Sequence, residues 1–141
     1  MKKTEIWLDT NIIIYFLREN KEYSPQARQL VQEAATGKYI LKISPLIISE
    51  CVFVLMGSQF RRTKQEITLV LTSFINLKGV ECEEKSVVEE SLTQYSRKGI
   101  DFIDAYLAAH AKQVTPPHVI SININMGVKV ETPEQLLNNT K

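Results

Sequence analysis

Several classes of protein are excluded by what this chain has little of. Two cysteines, Cys51 and Cys82, are too few and too far apart for a disulfide framework or a cysteine metal cluster. Both sit in apolar stretches and are expected as buried free thiols of a reducing compartment. The formal net charge is only +1, so whole-molecule attraction to a polyanion is absent, and a nucleic-acid partner would need a local basic patch. No run approaches the roughly 18 to 20 apolar residues that span a bilayer. Met1-Lys2-Lys3 begins like a secretion signal, but Glu5, Asp9 and Asn11 interrupt the apolar run at once. The expectation is a cytoplasmic protein without membrane association. There is no internal repeat and no low-complexity linker. The hydrophobic fraction of 44% and charged fraction of 23% are those of an ordinary globular chain. At 141 residues it is expected to form a single domain, residues 1–141, with a sizeable core.

The pattern reads as strands alternating with helices. Residues 5–8 form a short apolar strand that ends in Asp9-Thr10-Asn11, and Ile12 to Leu17 then open a buried helix. Ser24-Pro25 is read as a helix start and Gly37 as its stop. Tyr39 to Ile43 make a second strand, and Ser44-Pro45 starts a helix that runs to Gly57. Arg61-Arg62-Thr63-Lys64 leads into a helix over about 63–77, and Gly79 to Cys82 make a third strand. A polar helix follows near 84–98, then a small-residue helix that starts at Asp101 or a neighbour and is broken at Pro116-Pro117. His118 to Ile122 and Val128 to Val130 are strand-like, and Thr132-Pro133-Glu134 begins a terminal helix. Strands separated by helices need crossover connections. The expected fold is therefore α/β, a three-layer α/β/α sandwich with a mainly parallel central sheet.

Ligands of open parallel sheets bind beyond the carboxyl ends of the strands. Asp9 stands at such an end, and Asn123 at the corresponding end of a late strand. Glu50 lies about one and a half turns into the helix after the second strand, among Ile47, Ile48, Cys51 and Val52, where an acid is expected to be packed and partnered. Asp101 and Asp104 are three apart at a helix start and share a face. Taken singly, Asp9 or Asp101 would be an ordinary helix cap. Taken together, the acids would repel one another unless a cation sat among them. A hard divalent ion, Mg²⁺ or Mn²⁺, meets that need through oxygen ligands, and it can activate water for attack on a phosphodiester.

Leu8-Asp9-Thr10-Asn11, then Ser44-Pro45 with Ser49-Glu50, then Asp101-Phe102-Ile103-Asp104-Ala105 running into Leu107-Ala108-Ala109-His110-Ala111, resembles a PIN domain. Within that superfamily the chain most resembles the VapC-type ribonuclease toxins of toxin–antitoxin pairs, over essentially its whole length. The resemblance implies an Mg²⁺- or Mn²⁺-dependent endoribonuclease with Asp9, Glu50 and Asp104 as metal ligands, and Asp101 as accessory acid. It also implies an RNA substrate, a small cognate antitoxin and a homodimer. Thr10 and Asn11 match polar residues that support the first acid, and Ser121 and Asn123 match the segment that usually bears a fourth acid. Asn123 keeps a carbonyl oxygen but loses the charge, and the loop after it is shortened, which points to weaker metal binding or slower turnover. A PIN-like domain that binds RNA or protein without efficient cleavage is the alternative.

Phosphates would need cations, and Arg61-Arg62 is the best basic cluster, expected to meet RNA or the partner rather than the scissile phosphate. His110 and His118 are read as structural rather than as general bases, and Trp7 as part of the core rather than a base-stacking platform. Phe53 to Phe60 is more apolar than a helix end requires, and core packing explains most of it, with an antitoxin groove or dimer face as the other reading. A phospho-acceptor domain would want an acidic pair after the first strand and a late lysine, and Ser121-Ile122-Asn123 supplies none. An Asp-x-Asp phosphatase fails because Asn11 fills the second acidic position.

Overall fold

Strand β1 (Thr4–Trp7) pairs in parallel with β2 (Tyr39–Ile43), which pairs in parallel with β3 (Val80–Cys82), in the order β1-β2-β3. The computed structural model describes residues 3–113, 119–121 and 128–139. Packing divides the chain into two compact units, Met1–Lys85 and Ser86–Lys141. The first holds this sheet and four helices, α1 (Thr10–Leu17), α2 (Tyr23–Ala35), α3 (Pro45–Met56) and α4 (Lys64–Ile75). Two helices connect each strand to the next, as parallel pairing demands. The expected α/β architecture with a parallel sheet flanked by helices is thus present.

Period-two alternation gives the sheet two unlike faces. Ile6 pairs with Leu41, Leu41 with Val80, and Ile43 with Cys82, and Leu41 and Ile43 are completely buried. Trp7 pairs with Lys42, and Lys42 with Glu81, on the opposite face. There the expectation of a core tryptophan fails, for Trp7 is 55% exposed. Helix packing reaches the Ile6–Leu41–Val80 side, and the alternation turns Trp7 away from it. Ile13, Ile48, Ile67, Leu71 and Ile75 complete the buried centre. Both cysteines are buried free thiols, as expected.

Helix starts follow local chemistry. The Ser44 hydroxyl accepts from the Leu46 N–H with Pro45 in the first turn. Thr63 and Glu66 form a reciprocal capping box on α4. The start of α2 differs from its expected place. It begins at Tyr23, because the Asn20 Oδ1 accepts from the Glu22 and Tyr23 N–H groups. Ser24, read as the cap, is instead buried, accepting from the Asn20 N–H and donating to the Arg18 carbonyl. Pro25 then sits inside the first helical turn, where no intrahelical donor is lost. Gly37, at φ +98°, follows the end of α2, and Gly79, at φ +86°, brings its backbone against Ala34, where a Cβ would lie 2.4 Å from the carbonyl oxygen.

The second unit carries α5 (Lys85–Lys98), α6 (Phe102–Ala111), β4 (Val119–Ile120), β5 (Val130–Glu131) and α7 (Pro133–Asn139). Among the described residues, β4 and β5 pair in parallel with each other, Val119 opposite Val130. Ala108 and Val119 form a small core with Ala111, Val128 and Val130. Lys112, the residue that follows α6, reaches Glu90 of α5 at 3.1 Å. Pro116, Pro117, His118 and Asn123 lie outside the described residues. No described helix is long and apolar enough to cross a membrane.

Candidate active site

Asp9 follows the carboxyl end of β1 with extended backbone, φ −87° and ψ 159°, and is the N-cap of α1. Its Oδ1 accepts from the Thr10 N–H at 2.8 Å. Thr10 is only 3% exposed, and its hydroxyl donates to Glu50 Oε2 at 2.8 Å. One buried residue therefore ties both acids, the first through its backbone and the second through its side chain. The resemblance gave Thr10 as support for the first acid, and the hydroxyl serves the second as well. Asn11 is exposed on α1.

Glu50 departs from its expected packed setting, since its side chain lies on the exposed stripe of α3. Leu46, Glu50 and Phe53 recur at helical spacing, and Leu46 and Phe53 are 79% and 77% exposed. The buried stripe of the same helix is Ile48, Cys51, Val52 and Leu55. A helix apolar nearly all round can still show one apolar side to solvent. That is why the sequence overstated Glu50's burial.

The Cys51 thiol reports the local charge. Burial pushes its pKa up to about 12, and the negative charges of Glu50 and Asp9 add to the effect. Among the described residues no lysine or arginine pairs with Asp9 or Glu50, and Asp9 Oδ2 and Glu50 Oε1 make no hydrogen bond. Two carboxylates held on one threonine, each with an oxygen that Thr10 does not engage and no counter-cation among the described residues, are hard donors that fit a divalent ion. They are a pair and not a finished cage. Among the described residues no three His, Cys, Asp or Glu side chains form a ready metal cluster.

Asp101, Asp104 and Ser121 belong to the second unit, and Arg61 and Arg62 to the first. Asp101 occupies the N-cap position of α6, yet its side chain makes no capping bond, and its charge helps burial raise the pKa of the Tyr95 hydroxyl. Asp104 stands in the first turn of α6, half-buried. The Ser121 N–H donates to the Glu131 carbonyl beside β4. Arg61 is exposed at φ +48°, and Arg62 pairs with Glu66 at 3.3 Å. A groove of about 150 Å³ lies between α1, α3 and α4, lined by Leu17, Leu55, Phe60 and Val70, with Arg18 over the Phe60 ring at 5.5 Å. His110 packs edge-on against Tyr106 at 4.7 Å, in keeping with a structural role.

The sequence reading missed the surface around Trp7. Lys42 lies 5.8 Å from its ring centre and pairs with Glu81 at 3.2 Å. The signal was available. Glu5, Trp7 and Asp9 alternate with Ile6 and Leu8, which places Trp7 in the polar register of the strand.

Comparison with known families shows that the family described as PIN domain matches residues 6–117. The match runs from within β1 through α6 and so includes Asp9, Glu50, Asp101 and Asp104. Comparison with curated proteins gives no match.

Proposed function

This chain belongs to the PIN domain family, whose members are generally nucleases, and we propose that it is an Mg²⁺- or Mn²⁺-dependent endoribonuclease. The observation that carries the reading is the Asp9–Thr10–Glu50 arrangement at the carboxyl end of a parallel sheet. Asp9 and Glu50 would hold the ion through the oxygens not engaged by Thr10. Asp104 is the third ligand and Asp101 the accessory acid, both assigned by resemblance and inside the family match. When bound, the ion supplies water activation and stabilisation of charge on the phosphodiester.

The chain's own residues contribute position and electrostatics. The cap bond fixes the Asp9 carboxylate at the first turn of α1, where the helix N-terminus favours negative charge. The threonine hydroxyl fixes Glu50 relative to Asp9. Both acids are exposed, which leaves the oxygens that Thr10 does not engage open to a ligand. Ser121 and Asn123 are assigned as supporting residues, and Arg61 and Arg62 as contacts for RNA or a protein partner.

The finer role proposed is the toxin of a VapBC-type pair, neutralised by a small antitoxin and acting as a homodimer in the cytoplasm. The apolar groove beside Arg18 and the exposed Leu46 and Phe53 support protein partners. The decisive experiment is RNA cleavage by purified protein with Mg²⁺ or Mn²⁺, with and without EDTA. Cleavage lost both in EDTA and in Asp9→Asn is the expected result. Asn123, standing where a fourth acid belongs, favours a second reading as a non-cleaving RNA- or protein-binding domain. Binding without turnover would select it. A neighbouring reading frame for a short DNA-binding protein with a flexible tail tests the toxin role, and a solitary gene would count against it.

A further inference from the structure

The carboxyl end of β1 carries an exposed aromatic ring that the acid pair does not explain. Trp7 is the chain's single tryptophan and is 55% exposed, although a ring of this size is normally drawn mostly into a core. It stands two residues before Asp9. The backbone is extended through Asp9, and Leu8 between them is buried on the helix-covered side. Ring and carboxylate thus leave the chain toward the same side, roughly 7 Å apart along the strand. The Lys42 ammonium lies 5.8 Å from the ring and is neutralised by Glu81 at 3.2 Å. Glu5 and Glu83 add further negative charge around that lysine. With Lys42 already paired to Glu81, what this patch offers a ligand is the face of the indole itself. It suits a flat, neutral, polarizable group laid on the indole.

We propose that Trp7 is a stacking platform for an unpaired nucleobase of the RNA, seating that nucleotide beside the phosphodiester addressed by Asp9 and Glu50. This rests on the ribonuclease reading, and the contact needs an unpaired base, since a base inside a duplex has both faces covered by its neighbours. Stacking accepts any base, so Trp7 selects for strandedness and not for sequence. Trp7 is a positioning residue. It takes no part in bond making, and its loss weakens binding more than turnover.

The single tryptophan makes the contact directly visible. Metal-free protein in EDTA, which prevents cleavage, is titrated with single-stranded oligouridylate and with a duplex RNA of equal length. Binding is followed in parallel by anisotropy of labelled RNA. The expected result is saturable quenching of Trp7 fluorescence by the single strand, with affinity for the duplex weaker on the order of 10-fold. Trp7→Ala should weaken single-strand binding by about 10-fold and raise KM more than it lowers kcat, whereas Trp7→Phe should largely restore both. Saturating RNA binding without any change in fluorescence would overturn the proposal. Wild-type affinity and KM in Trp7→Ala would overturn it too, while leaving the nuclease reading intact. RNA that neither binds nor is cleaved by the wild-type protein with Mn²⁺ would remove both.

Discussion

Two helices of this protein start after an aspartate, and the two acids are used differently. At α1, Asp9 gives one carboxylate oxygen to the Thr10 N–H, and Thr10 in turn holds Glu50. At α6, Asp101 occupies the same cap position, but its side chain makes no capping bond. The first acid is tied into the fold and the second stands apart from it. An aspartate before a helix is thus not enough to assign a structural role. What separates the cases is whether the oxygen is engaged, and that can be broken experimentally in four steps.

The largest effect is expected at Asp9. Asparagine caps helices as well as aspartate does, so Asp9→Asn should leave unfolding free energy within about 0.5 kcal/mol of wild type. RNA cleavage should nonetheless fall by more than about 100-fold, the upper range for losing only an outer-shell partner of a metal ligand. Asp9→Ala should lose the activity and also about 1 kcal/mol of stability in chemical denaturation. Equal stability of the two variants would show that the cap bond contributes nothing.

Next comes Thr10. Thr10→Val keeps the shape and removes the hydroxyl that donates to Glu50, so kcat should drop by about 10-fold, with recovery in Thr10→Ser. A wild-type rate in Thr10→Val would mean that Glu50 needs no positioning.

Asp101→Ala sharpens the comparison from the other side. A general capping rule would assign it a loss of about 1 kcal/mol, yet without the bond the expected change in stability is within about 0.5 kcal/mol. Activity should fall less than in Asp9→Asn, as suits an accessory acid.

The smallest effect is expected at a cap remote from the chemistry. Thr63→Ala should cost about 1 kcal/mol with cleavage unchanged. It should also alter the acid limb of stability. The Thr63 backbone N–H, then its hydroxyl and Arg62, hold the Glu66 carboxyl below its ordinary value of 4.5. A lowered folded pKa gives stability that is present above that ordinary value and fades as pH falls through the folded one. Thr63→Ala keeps the backbone N–H and removes the hydroxyl, so it should flatten this fade only in part in a pH series of unfolding curves.

Much of this was legible in the sequence because helix starts and stops are local chemistry. Asp9-Thr10-Asn11, Ser44-Pro45, Thr63 with Glu66, and Gly37 mark boundaries that a few neighbouring residues decide. Asn20 was missed at the start of α2 because Ser24-Pro25 offers the stronger signature four residues further on. Trp7 and Glu50 were misjudged for another reason. Which side of a strand or helix is covered depends on what packs there, and a stripe of apolar residues does not say whether a neighbour exists. Leu46 and Phe53 are such a stripe, and Glu50 lies between them in the open. The pairing of β4 with β5 was likewise invisible, since two short apolar runs read the same whether they join a larger sheet or pair with each other.

The most direct measurement is Mn²⁺ binding to the wild-type protein and to Asp9→Asn and Glu50→Gln, followed by electron paramagnetic resonance. Binding by the wild type, weakened by about 10-fold or more in each variant and paralleled by loss of RNA cleavage, is the expected result. Undiminished Mn²⁺ affinity in both variants, with RNA still cleaved at the wild-type rate, would contradict the assignment of Asp9 and Glu50.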